Sequence, residues 1–104
     1  MRQGKQQAGR TTSVPYGLDD PAHADVVRRL FQEFTDPYRR PSLAELAHAL
    51  NVDGIPTRRG GQWYASTIRY VVMNPIYIDA GIINADTWQA AQRRLRQLRP
   101  GPPR

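Results

Sequence analysis

Apolar positions along this chain return at helical intervals, and they divide it into four predicted helices. Asp19-Asp20-Pro21 is a strong start signal, a carboxylate cap with proline in the first turn. Val26, Val27, Leu30, Phe31 and Phe34 then make one apolar face that runs to about Phe34. Thr35 to Pro41 contains two prolines and breaks the pattern. Ser42-Leu43-Ala44-Glu45 reads as a capping box, and Leu43, Leu46, Ala47 and Leu50 supply the inner stripe of a second helix ending near Asn51. In a third helix Ile68, Val71 and Val72 recur at i, i+3, i+4 and are the expected buried stripe, which leaves Thr67, Arg69, Tyr70 and Met73 outward. Ser66 or Thr67 is its expected cap, and Asn74-Pro75 its stop. The β-branched and aromatic residues between Tyr77 and Ile83 predict a short extended segment interrupted by Gly81. Asn84 can cap a fourth helix with Trp88, Ala91, Leu95 and Leu98 inward and Arg93, Arg94, Arg96 and Arg99 around the rest. The expected fold is therefore mainly α, a small domain of about four helices with at most a short β segment.

The stretch between the second and third helices carries the chemistry. In GIPTRRGGQWYASTIRYVVMNP, Gly54 to Pro75, a tight doubly basic turn runs into a short polar helix. Glycines at 60 and 61 permit positive φ and a close backbone approach, Pro56 fixes φ ahead of the turn, and Trp63 can pin its far end into a core. Arg58 and Arg59 are then expected to project from a turn held in shape, beside a helix N-terminus whose N–H groups and dipole favour a phosphate. With the second helix this forms a helix-turn-helix-like pair, although the connection of about a dozen residues exceeds the usual 3 to 4. The candidate DNA-contacting set is Arg58, Arg59, Gly60, Gly61 and Gln62 of the turn, with Ser66, Thr67, Arg69, Tyr70 and Met73 of the helix.

Composition narrows the class. The 104 residues amount to one domain, residues 15–99, between a basic tail at 1–14 and a short tail at 100–104, both expected to be disordered from their Arg, Gln, Gly, Ser, Thr and Pro content. A net charge of +6 points to a polyanionic partner, with double-stranded DNA the first candidate. Basic segments alternate with acidic ones: Asp19 to Asp53 holds four arginines against seven acids, whereas Gly54 to Pro75 holds three arginines and no acid. The absence of cysteine excludes disulfides and cysteine zinc sites. No apolar run approaches the roughly 20 residues of a membrane span, and no signal-peptide core is present, so a cytosolic protein is expected. No cofactor is implied.

From Asp25 to Pro75 the chain resembles the recombinase domain of large serine recombinases, the phage integrases and transposon resolvases that cut and rejoin DNA through a serine in a separate N-terminal domain. GIPT, RGG, a tryptophan, a Ser/Thr-led helix and Asn-Pro together carry the likeness. Pro15-Tyr16-Gly17 resembles the motif with which that domain opens, and IINADTWQAAQRRL, Ile82 to Leu95, its closing helix. The resemblance implies a cytoplasmic, nucleoid-associated module that grips duplex DNA beside the crossover site, partnered in a full-length protein by a catalytic serine domain. Neither the nucleophilic serine, nor its arginines, nor the cysteine-bearing zinc domain of the family is expected in this chain, so it is not read as an enzyme. Departures are specific. The segments Gly17 to Asp20 and Tyr77 to Ile82 are shorter than the family's strand-forming inserts, which implies a more helical fold. Tyr70 and Met73 stand at positions often basic in the family, and Tyr64 where a serine cap is common.

Plainer readings accompany each residue. Arg58 and Arg59 can be solvated turn residues, and Arg69 can pair with an acid such as Asp53. Trp63 and Trp88 read as core anchors rather than base-stacking platforms. The Arg93 to Arg99 cluster is either a polar helix face or a phosphate track. His23 and His48 have no third ligand for a metal, and Ser13, Ser42 and Ser66 read as tail or cap residues, not nucleophiles. Two other functions use the same basic face: an interaction module that docks an acidic protein, and a small free-standing DNA-binding regulator.

Overall fold

A computed structural model describes residues 15–98. Its elements are all helical: α1 (Pro21–Phe34), α2 (Leu43–Val52), α3 (Ala65–Met73), α4 (Ile76–Asp79) and α5 (Ala85–Leu98), with no strand among the described residues. The two tails, Ser13 and Arg99 lie outside them.

Helix α1 starts where its sequence dictates. Asp20 sits in an extended conformation, its Oδ1 accepts from the Ala22 N–H at 2.9 Å, and Pro21 occupies the first turn, where no donor is needed. The face that becomes buried is Ala24, Val27, Leu30, Phe31 and Phe34, with Val26 only half-buried at its edge. Thr35 ends the helix by donating from its hydroxyl to the Phe31 carbonyl at 2.7 Å. The capping box of α2 is complete: Ser42 Oγ accepts from the Glu45 N–H at 3.0 Å, and Glu45 Oε1 accepts from the Ser42 N–H at 2.7 Å.

Packing gathers one core. Helix α2 lies against α3, α1 contacts both, and α5 closes over α1 and α3. Phe31, Phe34, Trp63 and Tyr77 are its largest fully buried side chains, each worth about 1.5–3 kcal/mol or more by area. Leu46, Leu50, Ile68, Val72, Ala91 and Leu95 fill the space between them.

The segment expected to be extended between Tyr77 and Ile83 instead begins inside the single helical turn α4, with Gly81 beyond it at φ +75°. Asn74 Oδ1 accepts from the Ile76 N–H at 3.0 Å, and Pro75 presets the φ of a helical entry, so the local cap outweighs the β preference of Ile76, Tyr77 and Ile78. Tyr77 thereby enters the core, and its hydroxyl donates to the Tyr16 carbonyl at 2.6 Å. Burial pushes the Tyr77 phenol up to about 12. Gly17, next in the chain, is at φ +95°, and a Cβ there would stand 2.8 Å from Val27 Cγ2. Only glycine lets that N-terminal turn lie so close to α1.

Candidate nucleic-acid interface

The connection from α2 to α3 is long but firmly built. Gly54 takes φ +74° at the end of α2, and the Ile55 N–H returns to the Leu50 carbonyl at 3.0 Å. The turn itself is closed by the Gly60 N–H on the Thr57 carbonyl at 2.9 Å and the Gly61 N–H on Thr57 Oγ1 at 3.0 Å. Its far end is clamped by Asn51, whose Oδ1 accepts from the Trp63 N–H at 2.8 Å while its Nδ2 donates to the Trp63 carbonyl at 2.9 Å. Trp63 is buried, and its indole N–H donates to the Ile55 carbonyl at 2.8 Å. A large anchor with every polar group satisfied holds the turn to the core, as expected of a core tryptophan.

Gly60 uses its freedom, at φ +85°, whereas Gly61 does not take positive φ. Neither brings a second backbone close: a Cβ on Gly60 would meet nothing within 4 Å, and one on Gly61 only the Thr57 hydroxyl. Within the described residues, then, no close backbone approach is made at this turn.

The two turn arginines have different fates. Arg58 does not project freely; it spans Asp19 with two hydrogen bonds, of 3.0 and 3.2 Å, and also donates to the Pro15 carbonyl at 3.3 Å. That contact holds the Asp19 carboxyl below the usual carboxylate range. Tyr16 lies beside it, stacked on His23 at 4.4 Å between centroids and edge-on to Trp63 at 5.1 Å. The N-terminal turn is thus tied to the basic turn. Arg59 is exposed and has no carboxylate partner among the described residues. An open cleft of about 280 Å³ is lined by Tyr16, Thr57, both turn arginines, Gln62 and Thr67, with Trp63 and Val71 as its apolar wall.

Helix α3 begins two or three residues earlier than a cap at Ser66 or Thr67 requires. Tyr64 is the cap residue and supplies no side-chain hydrogen bond, so Ser66 and Thr67 sit inside the first turn rather than capping it. Ile68, Val71 and Val72 are buried, as their spacing requires. Ser66, Tyr70 and Met73, at i, i+4 and i+7, form the solvent-facing ridge, with Tyr70 78% and Met73 44% exposed. Thr67 lies on one flank, toward the turn. Arg69 lies on the other, where it and Met73 line a smaller cleft of about 160 Å³ with Gln92, Leu95 and Arg96 of α5.

Arg69 does not pair with Asp53; Arg29 holds that acid, at 2.7 Å, and also holds Glu33 at 2.9 Å. These contacts raise the Arg29 guanidinium above its ordinary value, the Asp53 hydrogen bond contributing most. The arginines of α5 separate. Arg94 donates to the Arg40 and Pro41 carbonyls at 2.8 and 3.4 Å and lies over the Phe34 ring, whereas Arg93 and Arg96 are exposed. Arg96 belongs to the Arg93 to Arg99 cluster that the sequence leaves open between a polar face and a phosphate track; the packing of α5 on α3 brings it to the same cleft as Arg69. Among the described residues no group of three or more His, Cys, Asp or Glu side chains could hold a metal, and no helix is long and apolar enough to cross a membrane.

Fold and surface together define a small domain, helical in its described residues, that displays one short helix beside a braced arginine-bearing turn. The family model for Recombinase matches residues 21–82, α1 through α4 and more than half of the chain. The chain belongs to the Recombinase family, as a domain associated with recombinases rather than their catalytic domain, and its function is recombinase-related. The match leaves out the opening Pro15-Tyr16-Gly17 and nearly all of the closing helix. Comparisons with curated proteins and with solved structures give no match.

Proposed function

We propose that the chain is the module by which a site-specific serine recombinase grips duplex DNA beside the crossover, with α3 directed into the major groove. One observation carries this reading. Arg59, Arg69 and Arg96 flank the exposed Ser66, Tyr70 and Met73 ridge, and none has a carboxylate partner among the described residues. The neighbouring acids have other partners: Asp25 pairs with Arg28, Glu33 and Asp53 pair with Arg29, and Glu45 caps α2. A helix with its side chains is about 10–12 Å across, which a major groove about 12 Å wide admits. Its N-terminus, free of any side-chain cap, favours phosphate as well. In this arrangement Arg59 contacts phosphate, Gln62, Thr67 and Tyr70 are placed toward base edges and sugars, and Arg58 acts as a strut for the turn. Helices α2 and α3 serve as a helix-turn-helix-like pair with an elongated connection.

Binding of a labelled duplex is measured by fluorescence anisotropy between about 50 and 200 mM salt. The parent is expected to weaken steeply with salt, and Arg59→Ala to reduce the log–log slope by about 0.9, one phosphate contact. A parent that binds no duplex, or an Arg59→Ala variant that keeps the full slope, contradicts the reading. A complex with an acidic protein that persists at high salt would point to the interaction-module alternative.

A further inference from the structure

The cleft between α3 and α5 has a composition the fold does not need. Arg69 and Arg96 both line it, the other lining residues are Met73, Gln92 and Leu95, and no carboxylate is among them. Two guanidinium groups lining one cleft with no acid beside them make it a positive spot that an anion between them offsets. Nor is the gap loose: Gln92 Nε2 donates to the Val72 carbonyl of α3 at 2.7 Å and to the Trp88 carbonyl of α5 at 3.1 Å. One side-chain amide therefore bolts the two walls at a fixed spacing. Arg96 also stands three residues from the exposed Arg93 on α5, which keeps that side of the cleft positive.

Resting on the DNA-binding reading above, we infer that Arg69 and Arg96 form a clamp for a single backbone phosphate of the duplex. The turn with Arg59 adjoins Thr67 on one flank of α3, and the Arg69 and Arg96 cleft lies on the opposite flank. A helix seated in the major groove has a phosphate backbone on either side of it. The turn holds one strand, and the clamp holds the other. A phosphodiester presents two non-bridging oxygens, and guanidinium groups bond such a pair through parallel N–H donors.

The test compares salt slopes for the parent, the Arg69→Ala/Arg96→Ala double variant, and Arg39→Ala as a control with a single exposed arginine removed from the connection between α1 and α2. The double variant is expected to lose about 0.9 unit of slope, because one phosphate is released, and the control none. A loss of about 1.8 units would mean two separate phosphates and overturn the shared clamp. An unchanged slope in the double variant, with the parent still binding, would overturn the clamp while leaving the DNA-binding reading intact; failure of the parent to bind would overturn both. The Gln pair, Arg69→Gln/Arg96→Gln, repeats the measurement should the alanine pair unfold. Inorganic phosphate alone, followed through the arginine Nε–H signals, is expected to bind only weakly. Saturation at micromolar phosphate would make the cleft a free-anion site and overturn its assignment to DNA.

Discussion

Replacing Asn51 with alanine removes both hydrogen bonds that hold the Trp63 backbone to the end of α2, at 2.8 and 2.9 Å, and leaves a part-buried N–H and C=O without partners. A neutral hydrogen bond contributes about 0.5–1.5 kcal/mol net, and orphaning a buried polar group costs about 1–3 kcal/mol. Water reaches this edge in part, so the expected loss is about 2–3 kcal/mol in total. For a domain of this size that lowers Tm by roughly 10–20 °C. Calorimetry or urea denaturation reads the loss, and native-state hydrogen exchange localises it, with the Trp63 amide and the Thr57 to Gly61 turn losing protection first. Because no phosphate contact is removed, duplex affinity should fall while its salt slope stays that of the parent. A variant within about 0.5 kcal/mol of the parent, with the Trp63 amide still protected, would refute the claim that Asn51 fixes the turn.

Three further outcomes follow from the N-terminal turn and its contacts. The Asp19 carboxyl, its folded value depressed by Arg58, should titrate below the ordinary carboxylate range by NMR and return to about 3.9 in Arg58→Ala; the stability from this contact is present above that value and lost as pH falls through the folded one. Tyr77 is raised instead, so its contribution is intact below about 10, its ordinary value, and disappears as pH climbs toward about 12. Ultraviolet titration should show a late-ionising tyrosine that Tyr77→Phe abolishes, at a cost of about 1 kcal/mol for the hydrogen bond to the Tyr16 carbonyl. Gly17→Ala should destabilise by about 1–3 kcal/mol, from positive φ and contact with Val27, and more than Gly60→Ala, which meets strain alone; equal effects in thermal melts would contradict this.

Local signals made most of the helical frame legible. Asp20-Pro21, the Ser42 and Glu45 box, the Ile68, Val71, Val72 stripe and Asn84, whose Oδ1 accepts from the Thr87 N–H at 2.8 Å, each act within a few residues of themselves. Between Tyr77 and Ile83 β propensity points the wrong way because the Asn74 cap starts a helical turn just ahead of it. Long-range partners were not readable at all. Asp19 meets Arg58 39 residues away, Arg29 takes Asp53, the acid that the plainer reading offers to Arg69, and Asn51 clamps a backbone 12 residues on. These depend on how α1, α2 and the N-terminal turn pack, for which the sequence carries no periodic signature. The buried stripe of α3 is legible in its spacing, and so are Tyr70 and Met73 as exposed residues. The rest of the outward face is not: Ser66, expected as a cap, is exposed, Thr67 and Arg69, expected outward, are half-buried on the two flanks, and Arg96 joins Arg69 only through the packing of α5.

Backbone amide shifts of the isotope-labelled protein, followed during titration with duplex DNA, test the central claim most directly. The account predicts changes concentrated at Arg59, Gln62, Ser66, Thr67, Arg69, Tyr70, Met73 and Arg96, fading as salt is raised. Changes confined to the acid-bearing outer sides of α1 and α2, around Asp25 and Glu45, would contradict it.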